Sequence, residues 1–225
     1  LASTESWYFE ISYPMLDSLK MYAPDDNGVY GMIETGDHLP FHKRDVDNTG
    51  FVFHFVDSPG VKTCYFRIKT TSAVSFEPVI MSQQSFFKKI NTEIPVFWIY
   101  YGLMLVMALY NFLIFLSTRD RDYVLYVLFI AVYILFQMTL NGHAFQYLWP
   151  NAIWWANNSL PFFITLSLFF VGVFIVSALE TRTQFPGLHK FMLLLVILPS
   201  SVISILSLII KYSIAIRIAT AFIAI

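Results

Sequence analysis

Few residues in this sequence have the chemistry to act on another molecule: five histidines, one cysteine, and a group of tyrosines and arginines in the N-terminal part. Zinc asks for closely spaced nitrogen and sulfur ligands, and His38, His42 and His54 have neither that spacing nor cysteine partners. Asp25-Asp26-Asn27-Gly28 begins like a calcium loop but lacks the spaced oxygen ligands and closing Glu. A hairpin turn accounts for it, because Asn-Gly is a strong hairpin signal. Gly-x-Ser-x-Gly, Walker and His-Glu-x-x-His patterns do not occur. The sequence is therefore read as non-enzymatic, with no catalytic residues, no metal and no cofactor. Recognition is what remains. Tyr22, Tyr30, Tyr65 and Arg67, with Arg44 in the long loop 35–48, are expected to form a ligand-binding surface. Tyrosines beside an arginine can stack on and hydrogen-bond a sugar or a similar polar ring. The same tyrosines also suit a half-buried strand through packing alone.

The elements that must position these residues follow from charge and periodicity. The chain of 225 residues is 57% hydrophobic and 13% charged, about half the roughly 25% charge of an average soluble domain. The division is uneven: residues 1–93 hold 20 of the 29 charged side chains. In that part Trp7-Tyr8-Phe9-Glu10-Ile11, Phe51-Val52-Phe53-His54-Phe55 and Thr63-Cys64-Tyr65-Phe66-Arg67-Ile68-Lys69 alternate with period two, the half-buried strand signal. The alternation places Trp7, Phe9 and Ile11, then Phe51, Phe53 and Phe55, then Cys64, Phe66 and Ile68 on inward faces. Cys64 is thus expected to be an inert core residue. Turn formers separate the runs at Asp25–Gly28, Thr35-Gly36-Asp37, Asp47-Asn48-Thr49-Gly50 and Ser58-Pro59-Gly60. Short strands at this spacing predict a β-sandwich over 1–85.

A short link over 86–93, without Gly, leads to long apolar runs near 95–116, 123–140, 160–179 and 191–210, with a fifth starting at Ser213. Stretches of this length and apolarity suffice to cross a bilayer as helices, so 94–225 is read as a transmembrane bundle. Arg119 and Arg121 follow the first span, Arg182 and Lys190 follow the third, and the segment between the second and third has neither Lys nor Arg. By the positive-inside rule the N-terminal part and that segment lie outside, and Trp98, Trp149, Trp154 and Trp155 fall at the outer interface. The expected location is the inner (plasma) membrane. Spans one to four carry no charge away from their ends. Asn111, Gln137 and Asn141 are expected to bridge helices, Ser200, Ser204 and Ser207 beside Pro199 to permit close packing, and Arg217 to snorkel. Phe145, Tyr147, Trp149 and Trp154 of the outer loop are expected to pack beneath the β-domain and relay its displacement. A net charge of −1 gives no case for nucleic acid.

The residues also carry a family resemblance. Ala108-Leu109-Tyr110-Asn111-Phe112, Arg119-Asp120 with Tyr123 and Tyr126, Gly142, and Phe145-Gln146-Tyr147-Leu148-Trp149-Pro150 resemble the membrane part of the bacterial seven-transmembrane receptors with diverse intracellular signalling modules. Trp7, Leu16-Asp17, Leu19-x-x-Tyr22, Thr35-Gly36-Asp37, Pro40-Phe41, Arg44, the 51–55 strand, Pro59-Gly60 and Tyr65-x-Arg67 are similar to that family's type-two extracellular domain. The resemblance implies an all-β, jelly-roll-like, carbohydrate-binding-like outer domain followed by an all-α bundle of seven spans. It also implies a cytoplasmic output module in the same polypeptide, which in this family can be an enzyme. Against it, the sequence reads as a piece: it starts at Leu1 short of the outer domain's first strands and stops at Ile225 within an apolar run. The expected partners are the lipid bilayer, a small extracellular or periplasmic ligand of saccharide type, and that output module, with a homodimer left open. The competing function is a transporter or its accessory subunit with a substrate-capturing outer domain. Such proteins usually show broken helices with polar or charged midplane groups, and often an internal repeat; spans one to four show no charged midplane and the sequence no repeat.

Overall fold

The computed structural model describes residues 6–25, 28–56, 61–71 and 76–224. The expected turns at Asp26-Asn27 and Ser58-Pro59-Gly60 fall partly or wholly outside the described residues. The chain separates into two compact units, one of Leu1–Pro95 with Asn141–Asn157 and one of Val96–Leu140 with Asn158–Ile225.

The first unit is built on two three-stranded antiparallel sheets. One sheet has β1 (Ser6–Ile11) between β4 (Phe51–Val56) and β6 (Pro78–Ser82), with Phe9 opposite Phe53 and Ile80. The other has β2 (Ser18–Pro24) between β3 (Tyr30–Thr35) and β5 (Tyr65–Lys69), with Tyr22 opposite Met32 and Tyr65. β2 and β3 form the hairpin expected from the Asp25–Gly28 run. Gly28 turns the chain at φ +81°, and the Asp25 and Val29 backbones close the loop. The core lies between the sheets, where Phe9, Ile11, Phe51 and Phe53 of one face Leu19 and Met21 of the other. Phe66 stacks on Phe9 at 4.4 Å. Each fully buried side chain of this size contributes about 1.5–3 kcal/mol, so alternation alone commits these strands to a sandwich.

Two expectations need correction. Cys64 lies before β5 and is half-buried, so the core face of that strand consists of Phe66 and Ile68. The second concerns β1, where Tyr8 and Glu10, on the face opposite the core, are also buried. Their cover is the start of helix α1 (Gln83–Thr118), which contains the whole 86–93 segment. Phe86 and Ile90, one helical turn apart, pack with Tyr8, Val52 and Met81, and Phe86 stacks on Tyr8 at 4.4 Å. From the next turn Lys89 Nζ reaches both carboxylate oxygens of Glu10 at 2.8 Å. A buried carboxylate is tolerated when it is paired in this way.

Among the described residues four helices are long and apolar enough to cross a membrane: α1, α2 (Arg121–Leu140), α4 (Ile153–Ala178) and the run Pro186–Leu206. Between α2 and α4 comes the short α3 (His143–Tyr147), and α5 (Thr181–Gln184) follows α4. The Pro186–Leu206 run consists of α6 (Pro186–Phe191), a π-helical stretch Met192–Ile197 and α7 (Leu198–Leu206). The π stretch ends two residues before Pro199, whose missing N–H and bulky ring disturb the normal ladder of the preceding turn. Gly172 of α4 lies against Ile197 and Val196, where an added Cβ would come within 3.0 Å of the Ile197 side chain. Ser200, Ser204 and Ser207 are buried, and Ser204 Oγ donates to the Phe162 carbonyl at 3.4 Å. The serine stripe thus serves close packing. Asn111 and Gln137 differ from expectation. Asn111 donates to the Met107 carbonyl and Gln137 to the Tyr133 hydroxyl, both one turn back on their own helices. A partner at i−4 is always in reach, so an amide need not cross to a neighbouring helix. The apolar helix α8 (Tyr212–Ile223) follows, with Arg217 exposed.

Candidate functional site

Because antiparallel partners point the same way, register decides which side chains share a face. Lys20 pairs with Glu34 and Arg67, and Tyr22 with Met32 and Tyr65. The outer face of the β3–β2–β5 sheet therefore gathers Tyr22, Tyr30, Tyr65 and Arg67. Tyr30 and Tyr65 lie 5.8 Å apart at a tilt of 44°, and the Tyr30 hydroxyl donates to the Thr63 carbonyl. Both rings are exposed, as are Met32 and Arg67. Lys20 and Glu34 form an ion pair at 3.1 Å on the same face. The face offers two open rings, a thioether and a guanidinium, which can stack on and hydrogen-bond a polar ring.

Arg44 does not belong to that face. It is buried beside the core, its guanidinium carbon 4.6 Å from the Phe41 ring centre and 4.4 Å from that of Phe51. Its Nη1 donates to the carbonyls of Asn48, Thr49 and Gly50 and so gathers that turn. Burial pulls its pKa down to about 10, against the attraction of Asp37 and Asp47, which leaves it charged at neutral pH. Sequence pattern cannot distinguish a buried arginine from an exposed one when it sits in a loop with no periodicity.

The 141–157 segment belongs to the same compact unit as the sheets. Phe145 is buried and meets Phe41 edge-on at 5.6 Å. The Phe41 N–H donates to the Pro150 carbonyl at 3.0 Å, Gln146 Nε2 donates to Asp47 at 3.1 Å, and Asn157 Nδ2 donates to the Asp37 carbonyl at 3.2 Å. Gly142, at φ +79°, approaches Pro14 and Thr49 so closely that a Cβ would come within 3.0 Å of the proline ring. Of the other aromatics in this segment, Tyr147 stacks on His143 at 6.4 Å and Trp149 meets Trp155 at 5.9 Å, while Trp154 is exposed. Burial pushes the His143 pKa down, which favours its neutral form.

One cluster escapes sequence reasoning. Ligand atoms of Asp17, Asp37 and His38 lie within 4.8 Å of one another. Burial, and then the nearby Asp17 carboxylate, raises the Asp37 pKa to about 6. Such a set could hold a cation, but both Asp17 oxygens already accept hydrogen bonds from Thr70 and Thr71. Asp17 lies twenty residues before the adjacent Asp37 and His38, which is no metal-ligand spacing. The signal that was available is the Thr35-Gly36-Asp37 turn. There Gly36 packs against the Asp17 backbone, and an added Cβ would stand 2.2 Å from the Asp17 oxygen.

A β-sandwich preceding several membrane-capable helices defines a multi-pass membrane protein with a folded N-terminal domain. The family model described as 7TM diverse intracellular signalling matches residues 93–225, and the one described as 7TMR-DISM extracellular 2 matches residues 2–82. The chain belongs to the 7TM diverse intracellular signalling family, whose members are membrane sensory receptors, and its N-terminal domain is extracellular. No curated protein and no solved structure matches it.

Proposed function

We propose that this chain is the sensing and membrane portion of a receptor in the inner (plasma) membrane. The outer β-domain binds a small polar ligand of saccharide type on the face carrying Tyr22, Tyr30, Tyr65 and Arg67. The bound state is passed on through two attachments, the first turns of α1 and the aromatic segment with Phe145, Tyr147, Trp149 and Trp154. An output module in the same polypeptide reads it in the cytoplasm. The observation that supports this reading most strongly is the set of contacts tying 141–157 to the β-domain, above all Phe41 on Phe145 and on Pro150. A segment between two spans that folds with the sensing domain gives a ligand something to shift besides the domain itself. The shift can be no larger than the difference in ligand affinity between the two states. The helical continuity of 86–93 adds stiffness that a flexible linker would lack.

The test is a flexible Gly-Ser segment inserted after Asn91 in the full-length protein, with ligand binding and cytoplasmic output measured side by side. Binding should persist and the response should fall at least tenfold. An unchanged response would remove α1 from the relay.

A further inference from the structure

Because the N-terminal domain is extracellular, α1 carries the chain across the bilayer, and the start of α2 and the end of α4 come to the cytoplasmic side. There a groove of about 450 Å³ opens between the first turns of α2, the last turns of α4 and the 180–189 segment. Its size falls within the range of roughly 300–1,000 Å³ typical of small-molecule sites. The groove is divided by polarity. Leu125, Val173 and Val176 form an apolar wall inside the span ends, whereas Arg121 and Arg182 stand at the rim, where the spans stop. Both arginines are exposed, and among the described residues neither is in an ion pair. Asp122, beside Arg121, accepts from Ser177 Oγ and so ties α2 to α4 at this level. Glu180 also lines the groove, so two guanidiniums stand against one carboxylate. His189 is held at the same rim by the Thr181 hydroxyl, 3.0 Å from its Nδ1. A guanidinium presents a planar fork of donors that matches phosphate oxygens, and a basic pocket between spans on the cytoplasmic side suits an anionic headgroup.

We propose that this groove binds an anionic phospholipid of the cytoplasmic leaflet, with Arg121 and Arg182 receiving the phosphodiester and the Leu125, Val173 and Val176 wall receiving the start of an acyl chain. Glu180 sets the charge the site accepts. Two guanidiniums against one carboxylate suit a singly charged phosphodiester better than a doubly charged phosphomonoester. The apolar wall favours a lipid over a soluble phosphate, which would leave that surface without a partner. A headgroup held here bridges the start of α2 to the segment after α4, across the junction that Ser177 and Asp122 close. Occupancy therefore favours the arrangement in which these two span ends stay together. The inference goes beyond the receptor reading and does not depend on what the outer domain binds.

The experiment uses the full-length protein in detergent micelles, titrated with dioctanoyl phosphatidylglycerol, dioctanoyl phosphatidylcholine, glycerol phosphate and inorganic phosphate, with bound species read by native mass spectrometry. Phosphatidylglycerol should bind, and each of the others should bind about tenfold more weakly or worse. Arg121→Gln combined with Arg182→Gln should weaken phosphatidylglycerol binding about tenfold. A matched pair, Arg119→Gln combined with Lys190→Gln, removes one cation from each of the same two cytoplasmic segments at positions that do not line the groove. It should leave binding within about twofold of the natural protein. All four side chains are exposed, so both paired variants should melt like the natural protein. Four results would overturn the site. Phosphatidylglycerol that does not bind removes it outright, and phosphatidylcholine bound as tightly means an apolar groove indifferent to charge. A soluble phosphate bound as tightly means that no lipid is selected. Equal weakening by the two paired variants means diffuse surface charge rather than a built groove. Each of these outcomes leaves the receptor reading intact, because none involves the outer domain.

Discussion

The outer faces of the two sheets make an instructive pair. Both sheets have three strands, both central strands alternate, and both outer faces carry tyrosine. On the β4–β1–β6 sheet the face with Tyr8, Glu10 and Val52 is roofed by Phe86, Lys89 and Ile90 of α1 and is buried. On the β3–β2–β5 sheet the face with Tyr30, Met32, Tyr65 and Arg67 stays open. The roofed face has become core, and its residues are chosen for packing and for one buried ion pair. The open face keeps rings and charges that no packing requirement explains. In the receptor reading proposed above these are complementary duties: one face is where the domain is held, and the other is free to meet a ligand.

The contrast can be broken at its strongest point by Phe86→Ala. The ring is 1% exposed and stacked on Tyr8, so its removal should cost about 3–5 kcal/mol. Thermal unfolding of the detergent-solubilised protein should show this as a large drop in the melting transition of the outer unit. A shift no larger than that of a surface substitution would mean that the roof is not part of the core.

A pH titration sharpens the comparison at the edge of the open sheet, where the Thr35-Gly36-Asp37 turn sits. The folded-state pKa of Asp37 is raised from 3.8 to about 6. The folded state therefore holds this proton more tightly than the unfolded chain does. Its contribution to stability is fully present below about pH 4 and is lost as pH rises through about 6, and is on the order of 2–3 kcal/mol. Asp37→Asn should remove that part of the pH dependence, so that natural and variant proteins differ in stability more at pH 7.5 than at pH 4.5. Equal differences at both pH values would show that the carboxyl titrates normally.

The smallest expected effect on stability is on the open face itself. Tyr65→Ala, at 58% exposure, should change the melting transition by no more than about 0.5 kcal/mol. If the face binds ligand, the same substitution should reduce affinity several-fold in a titration of the full-length protein. A large loss of stability with no change in binding would move Tyr65 to the same status as Tyr8.

Much of this was legible from pattern. Phe9, Ile11, Phe51, Phe53, Phe66 and Ile68 turn inward because period-two alternation leaves them no other consistent face. The spans could be located because an uncharged run of some twenty residues has few alternatives to crossing a bilayer. Tyr65 and Arg67 share a face by the alternation of their own strand, whereas their meeting with Tyr22 and Tyr30 came only with the β3–β2–β5 pairing. Other features were not legible. That Tyr8 and Glu10 are buried depends on a helix some seventy residues away, and the 86–93 segment, polar in composition, reads as a link rather than as a roof. Arg44 reads as a surface residue because no periodicity marks its loop. The close approach of Asp37 to Asp17 depends on a glycine lying against a distant backbone.

What the sequence determined by itself is therefore local and periodic: which segments are strands or spans, which side of each strand is apolar, and where charge is excluded. These follow from the chemistry of adjacent residues, which a linear reading contains in full. What only the tertiary structure decided is which polar groups are buried and which surfaces remain open. It brought Phe145, Gln146 and Pro150 to the β-domain, enclosed Arg44 between Phe41 and Phe51, and closed one sheet face while leaving the other bare. The physical reason is that burial is set by the whole set of neighbours in space, and for a loop or a face that set comes from distant parts of the chain.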